Sequence, residues 1–460
     1  MDCPFDADGA ERDRLGDEAV ALLCEYLRVD TQNPPGGERA GAAFLADVLA
    51  RDGIDASIAE AAPGRANLVA RLRGTGARGA LVLHHHIDVV PAEAHAWSAD
   101  PFGGAVRDGY IVGRGALDMK STGILHLVAL LAIKRSGVPL DRDLVFLATA
   151  DEETGSRHGA RFVVDRQADW LAGVESVLTE LGAIRVEPRY RAPFGSIAVA
   201  EKTQLHVRIT ARGRAGHACV PARAHAVNTL IVALARLLGA DRPPRVVPLV
   251  AEYFRRLAEV LPEAERPGLH ALGDALGDDA FRERFMNDPF HAALVSDTLA
   301  ITILRGGGQL NIVPSEASAE IDCRCLPGQA SELLRWIRAL LADLPVEVGS
   351  PGDMRADAGV SDPETPLYAA LARTLERRAP GVVVAPELLV ARTDAAIFRA
   401  AGLQSYGFSP FILDAQELAG IHGVDERLSI ANVKAGVMSY LDLLHDLAMP
   451  AVHPGALSAV

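Results

Sequence analysis

The chain has 460 residues, 49% of them apolar, a formal net charge of −14 and five cysteines. That length exceeds one ordinary core and predicts two folded units, or one interrupted by a large insertion. With no cluster of Lys and Arg, the negative balance argues against nucleic acid or an anionic membrane surface as partner. No charge-free apolar run reaches membrane-spanning length, and the widely spread cysteines read as reduced, mostly buried thiols, so the expectation is a cytoplasmic protein.

In chain order, Asp17 to Leu27 and Gly37 to Arg51 carry apolar residues at helical spacing, separated by the break Asn33-Pro34-Pro35-Gly36-Gly37. Short apolar runs at Asn67 to Leu72, Ala80 to His84, Leu144 to Ala150 and Val174 to Thr179 predict buried strands. Met119 to Ser136 predicts a buried helix closed by Gly137. Strands alternating with helices predict an α/β sheet covered on both faces. From about Lys202 the pattern changes to polar/apolar alternation, QLHVRITA, then a helix over Ala224 to Leu238. Strands at Thr298 to Leu304 and Ala317 to Cys323, a helix at Ala330 to Leu341 and a strand at Val346 to Val348 complete a split βαβ order, the mark of a small separate domain. Residues 1–201 and 351–460 are thus expected to form one catalytic unit, interrupted by a lid of residues 202–350 that carries a helical insertion at 241–297.

Five segments end on residues able to bind a divalent ion: His86-Ile87-Asp88, Asp118 in GRGALDMKS, Glu152-Glu153 in TADEETGS, Glu180 in VLTEL and His422 in GIHGVDER. His86 and Asp88, two apart, share a face of a strand, so that the carboxylate can hold the imidazole in one tautomer while its other nitrogen binds metal. His84 and His85 read as bystanders. Asp118 precedes a helix, where an Asp is usually only a cap, but it sits in the kind of loop where α/β proteins bind ligands. Glu152 and Glu153 close an apolar run; their repulsion calls for a cation, and one of the two can ligate while the other moves a proton. Glu180 and His422 gain force only from number and order. Three carboxylates against two dications leave about one positive charge, which a hydroxide neutralises.

The strings HIDVVP, WSADPFGG, DGYIVGRGALDMKS, TADEETGS, GHACVP, NIVPSEASAEIDCRCLPG, TDAAIF and YGFSP, spread over Asp17 to Leu447, resemble the dizinc metallopeptidase group that includes aminoacylase, glutamate carboxypeptidase, acetylornithine deacetylase and succinyl-diaminopimelate desuccinylase. The resemblance implies an aminopeptidase-like α/β domain with a mixed sheet, interrupted by a ferredoxin-like lid and dimerisation domain. It implies two divalent ions bridged by Asp118, with His86 and Glu180 completing one site and Glu153 and His422 the other. Zinc is the expected metal, and the same ligands accept cobalt or manganese. Glu152 becomes general base and then acid, Asp88 orients His86, and His217 reaches across a homodimer to polarise the scissile carbonyl. Asn311 and Arg324 match positions that help hold a substrate carboxylate. Three departures stand out: His85 replaces a usual Gly, Thr179-Glu180-Leu181-Gly182 replaces Asn-Glu-Gly-Gly, and Ala391-Arg392-Thr393-Asp394 replaces Gly-Gly-Thr-Asp, which makes Arg392 a candidate anion contact. The expected substrate is a small amide beside a free carboxylate, an N-acyl amino acid or dipeptide. A metal-binding homologue without catalysis, a carbamoyl or ureido substrate, and the synthetic direction are the alternatives.

Overall fold

The computed structural model describes residues 9–351 and 358–448. Its larger sheet has ten strands. Three neighbours at its centre run parallel, Ala80–His86 between Leu144–Thr149 and Val174–Thr179. All seven residues of Ala80–His86 and all six of Leu144–Thr149 are buried, so the apolar runs are explained by cover on both faces. Parallel pairing brings the carboxyl ends of all three strands to one edge, where His86 stands opposite Thr149. Gln404–Gly407 extends the parallel set beside Val174–Thr179. Six of the ten strands were not foreseen individually in the sequence, and two show why. Ala56–Ala62 pairs antiparallel at the edge and is too exposed and alanine-rich to signal itself, while Phe194–Glu201, buried throughout, carries the opposite end of the sheet. The sheet is therefore mixed, as expected.

The helix Lys120–Ser136 lies buried on one face and ends on Gly137 in the left-handed region (φ 67°). It packs between helices Gly9–Leu27 and Ile430–Ala448. The two helices expected before the sheet form over Gly9–Leu27 and Glu38–Arg51.

The smaller sheet uses Thr203–Arg212, Thr298–Gly306, Glu316–Cys325 and Val346–Gly349, with helices Ala226–Gly239 and Ala330–Leu340 after the first and third. Its spatial order is second, third, first, fourth, all antiparallel, the ferredoxin-like arrangement. It has its own core, with Val207, Ile209, Leu230, Ile321 and Ile337 fully or nearly buried. The helical segment 241–297, expected as part of that unit, packs elsewhere. Val250, Tyr253 and Phe254 of helix Pro248–Val260 share a core with Phe194, Ala385 and Leu388 of the larger sheet. Sequence adjacency misled here, because the apolar stripe of this helix matches the face of strand Val383–Leu389. Lys202 ties the two crossings between the units: its Nζ donates to Ala293 O (2.9 Å) and Ser296 O (2.8 Å). Among the described residues no helix is long and apolar enough to cross a membrane, and Cys24, Cys219, Cys323 and Cys325 are free thiols.

Candidate metal centre

Each of the five expected ligands leaves the end of an element that points at one spot. His86 ends its strand, Glu180 directly follows Val174–Thr179, and Glu152 and Glu153 form a short turn two residues after Leu144–Thr149. Asp118 precedes helix Lys120–Ser136, and His422 sits in a loop with φ 59° between two glycines.

The geometry is that of two groups sharing one carboxylate. Asp118 Oδ1 lies 3.0 Å from His86 Nε2, and Glu180 Oε2 lies 3.6 Å from the same nitrogen. Asp118 Oδ2 lies 3.1 Å from His422 Nε2, and Glu153 Oε2 lies 3.3 Å from it. His86, Asp118 and Glu180 form one constellation with ligand spacing, and Asp118, Glu153 and His422 another. Glu153 Oε1 is buried without a hydrogen-bond partner. A buried carboxylate oxygen left bare is costly unless a cation takes its lone pairs, so the donor set fits two divalent ions.

The electrostatics agree. Hydrogen bonds donated to the Asp118 and Glu153 carboxylates push His422 up to about 10. Burial works against charge on His86, but Glu180 and Asp118 outweigh it and hold the ring well above its usual value. Burial and the neighbouring Asp118 push Glu180 up to about 8. Carboxylates that draw protons onto two imidazoles this strongly make a field suited to a doubly charged ion. Burial, followed by the charge of Glu180, raises Glu152 well above the ordinary carboxylate range.

Asp88 requires a correction. The strand ends at His86, and His86 Nδ1 meets the backbone carbonyl of Asp88 at 2.9 Å, while the carboxylate Oδ1 stands 3.6 Å away. The Asp88 carboxylate instead accepts from the backbone N–H of Glu152 and of Glu153, each at 3.1 Å, and from Asn33 Nδ2 at 2.9 Å. It thus shapes the turn that carries both glutamates. Burial pushes it up to about 7.

The two preceding histidines hydrogen-bond or pack against residues other than the five ligands. His84 Nδ1 meets Thr179 Oγ1 at 2.7 Å and its Nε2 meets Thr149 Oγ1 at 2.8 Å, while Thr149 also donates to Asp394 Oδ2. His85 turns into the core, edge-on to Tyr26. A Cβ built on Gly123 would come within 2.4 Å of the His85 ring, so this glycine makes room for the bulky side chain that replaces a usual Gly. His85 therefore neither crowds the ligands nor joins them.

Other residues that hold the centre were not singled out in the sequence. Glu426, fully buried, accepts from Leu117 N (2.7 Å), Asp118 N (3.0 Å), Gly115 N (3.2 Å) and Arg114 Nη1 (2.7 Å). Arg114 Nη2 reaches His422 O at 3.3 Å, so the pair links the Asp118 loop to the His422 loop. Both lie in quoted motifs, GRGALDMK and GVDER, but a buried ion pair 312 residues apart leaves no local signature.

The remaining expected residues stand apart from the five. His217 and Asn311 are exposed and close together in the smaller unit, where Gly216–His217 pairs with Ile312–Val313 and Ala218 N donates to Asn311 O at 2.9 Å. Arg324 Nη2 pairs with Asp322 Oδ2 at 3.1 Å. Arg392 is half-buried, with Nη1 lacking a hydrogen-bond partner, two residues before Asp394. Among the described residues, no hydrogen bond or ion pair joins these four to the five ligands.

Aminoacylase-1 of Homo sapiens is 27% identical over 442 residues, covering 94% of this chain and 95% of the relative. Probable carboxypeptidase S-like 2 of Dictyostelium discoideum is 28% identical over 374 residues, covering 79% of this chain and 71% of that protein. The fold matches the M20 family metallo-carboxypeptidase Sso-CP2 from Sulfolobus solfataricus with a TM-score of 0.68 at 17% identity, covering 93% of this chain and 98% of the other. The model of peptidase family M20/M25/M40 matches residues 82–446, which takes in all five candidate ligands, and the chain is a metallohydrolase belonging to that family.

Proposed function

We propose that the chain is a dizinc amidohydrolase that cleaves an amide bond beside a free carboxylate, as in an N-acyl amino acid or dipeptide. The single observation that carries the reading is Asp118, whose two oxygens face two different imidazoles, each with a further glutamate. His86, Asp118 and Glu180 would hold one ion and Asp118, Glu153 and His422 the other. Bound there, the ions supply Lewis acidity toward the scissile carbonyl and make water more acidic.

The chain's own residues do the rest. Glu152 takes a proton from the attacking water as its oxygen bonds the carbonyl carbon. As the C–N bond breaks, Glu152 returns that proton to the leaving nitrogen, giving an amine and a carboxylic acid, whose remaining proton passes to the amine or to solvent to leave the carboxylate. The backbone N–H of Glu152, donated to the Asp88 carboxylate, fixes where that proton is received. His86 is oriented through Nδ1 by the Asp88 carbonyl.

His217 is assigned to the carbonyl oxygen of a substrate bound to the partner copy in a homodimer, a role supported by its exposure within its own chain. Exposed Ile231, Val232 and Leu238 on helix Ala226–Gly239, with Ile303 and Leu304 on an edge strand, offer an apolar face for that dimer. Asn311, Arg324 and Arg392 are the candidates for the substrate carboxylate, and the unpartnered Nη1 of Arg392 favours it among them. The free thiols suit a cytoplasmic setting.

Glu152→Gln tests the reading. Metal content is expected to stay at that of the parent, while turnover of N-acyl amino acids and dipeptides falls by at least about 100-fold. Full activity in that variant refutes the role of Glu152.

A further inference from the structure

A cavity of about 180 Å³ opens beside the metal centre, with Asp118 and Glu180 in its wall. Its sides are mostly apolar, among them Leu117, Leu181, Phe290, Leu389, Phe411 and Leu418. Besides Asp118, Glu180 and Ser409, its polar residues are Arg185, Ser196 and Glu387, and these three form a linked group. Arg185 Nη2 donates to Tyr253 Oη at 2.7 Å and stands 3.5 Å from Glu387 Oε1, and Ser196 Oγ donates to Glu387 Oε2 at 2.6 Å. The Arg185 guanidinium also lies over the rings of Phe194 and Tyr253. This patch therefore carries no free charge for a substrate carboxylate.

Phe290 is the unexpected wall. It belongs to helix Pro289–Val295 in the segment 241–297, packed on the larger sheet, and it keeps 38% of its surface exposed. A large apolar side chain held at the edge of such a cavity gains by covering an apolar ligand.

We infer that this cavity receives the acyl half of the substrate as an unbranched, uncharged chain of several carbons, and that the helical segment 241–297 sets chain-length preference through Phe290. The inference rests on the amidohydrolase reading above. The acyl half is assigned, not the amino-acid half, because the latter carries the free carboxylate and the cavity's only cation is already paired with Glu387. A wall containing Asp118 and Glu180 puts the start of the chain at the ligands.

The test is a series of N-acyl alanines, acetyl through octanoyl, on the zinc-reconstituted full chain. Because burying a methylene favours binding, kcat/KM is expected to rise about fourfold per carbon and then level off. Succinyl-alanine, with a charge on the chain, is expected to fall below butyryl-alanine. Phe290→Ala is expected to lower the gain per carbon, and Ala183→Leu, which fills the cavity, to bring the plateau to shorter chains. A flat acyl series with acetyl-alanine still hydrolysed overturns the inference and leaves the amidohydrolase reading standing. So does a gain that appears only when the amino-acid side chain is lengthened, or a profile unchanged in both variants. If dipeptides but no acyl amino acids are hydrolysed, the inference is overturned; if neither is hydrolysed, the amidohydrolase reading fails instead, and binding of hexanoate against acetate decides the cavity. Tighter hexanoate binding that is lost in Ala183→Leu supports it, and equal binding overturns it.

Discussion

Replacing Glu426 with Gln removes one charge and one of two acceptor oxygens from a side chain that touches no metal ligand atom. In the native chain, Oε1 accepts from Leu117 N at 2.7 Å and Asp118 N at 3.0 Å, while Oε2 accepts from Gly115 N at 3.2 Å and Arg114 Nη1 at 2.7 Å. The glutamine oxygen can serve only one of these pairs, and its amide then faces two donors across the other. Arg114, 3% exposed, becomes a buried cation without its counter-ion. Leaving one member of a buried pair costs about 3–5 kcal/mol. Part of that cost is relieved by movement of the Asp118 and His422 loops, which Arg114 and Glu426 hold together. Zinc affinity, read by competition with a chromophoric chelator, is therefore expected to drop about 10- to 100-fold, as for other residues that orient metal ligands. Thermal unfolding of the metal-free protein is expected at a lower temperature. Zinc affinity within twofold of the parent, together with an unchanged unfolding temperature, would refute the clamp.

If His217 acts across a dimer, Glu152→Gln and His217→Ala subunits, each inactive alone, are expected to regain about a quarter of parental activity when mixed and re-equilibrated, since half the dimers then hold one complete site. No recovery in a demonstrated heterodimer assigns His217 to its own chain. Chelation is expected to lower the unfolding temperature and zinc to restore it, because an ion that binds only the folded state stabilises it; the check is a calorimetric scan of the apo and reconstituted protein. Gly123→Ala is expected to cost about 1–3 kcal/mol by driving a methyl into the His85 ring, with partial rescue by adding His85→Ala, measured by urea unfolding. Burial holds Lys202 down to about 8 from its usual 10.5, so the native state releases this proton before the unfolded chain does. Its contribution to stability accordingly rises with pH across that window, and Lys202→Met is expected to remove a gain of roughly 3 kcal/mol between those limits.

Much of this chain could be read without its fold, and the physical reason is local. A strand covered on both faces is mostly apolar, so the runs Ala80 to His84, Leu144 to Ala150 and Val174 to Thr179 declared themselves, and the polar residues just beyond them lie at the carboxyl edge of the sheet. Periodicity likewise separated the split βαβ unit from the α/β unit, because half-exposed strands alternate and buried ones do not. His86, Glu153 and Glu180 were nameable for the same reason, each standing at or just beyond the end of an apolar run, whereas His422, in a loop, gained force only from number and order.

What the sequence left open depends on contacts between distant segments. The edge strand Ala56–Ala62 exists only because Arg65–Leu72 pairs with it, and segment 241–297 chose the larger sheet because that face, not the adjacent one, fits its apolar stripe. The role of Asp88 turned on where a strand stops, since the strand ends at His86 and Asp88, two residues on, directs its carboxylate to the Glu152–Glu153 turn. Glu426 and Arg114 acquire meaning only when a buried cation meets a buried anion from the far end of the chain. Sequence determines which side chains can do chemistry; their partners, charge states and cavities are products of packing, because electrostatic energy depends on distances that no stretch of consecutive residues encodes.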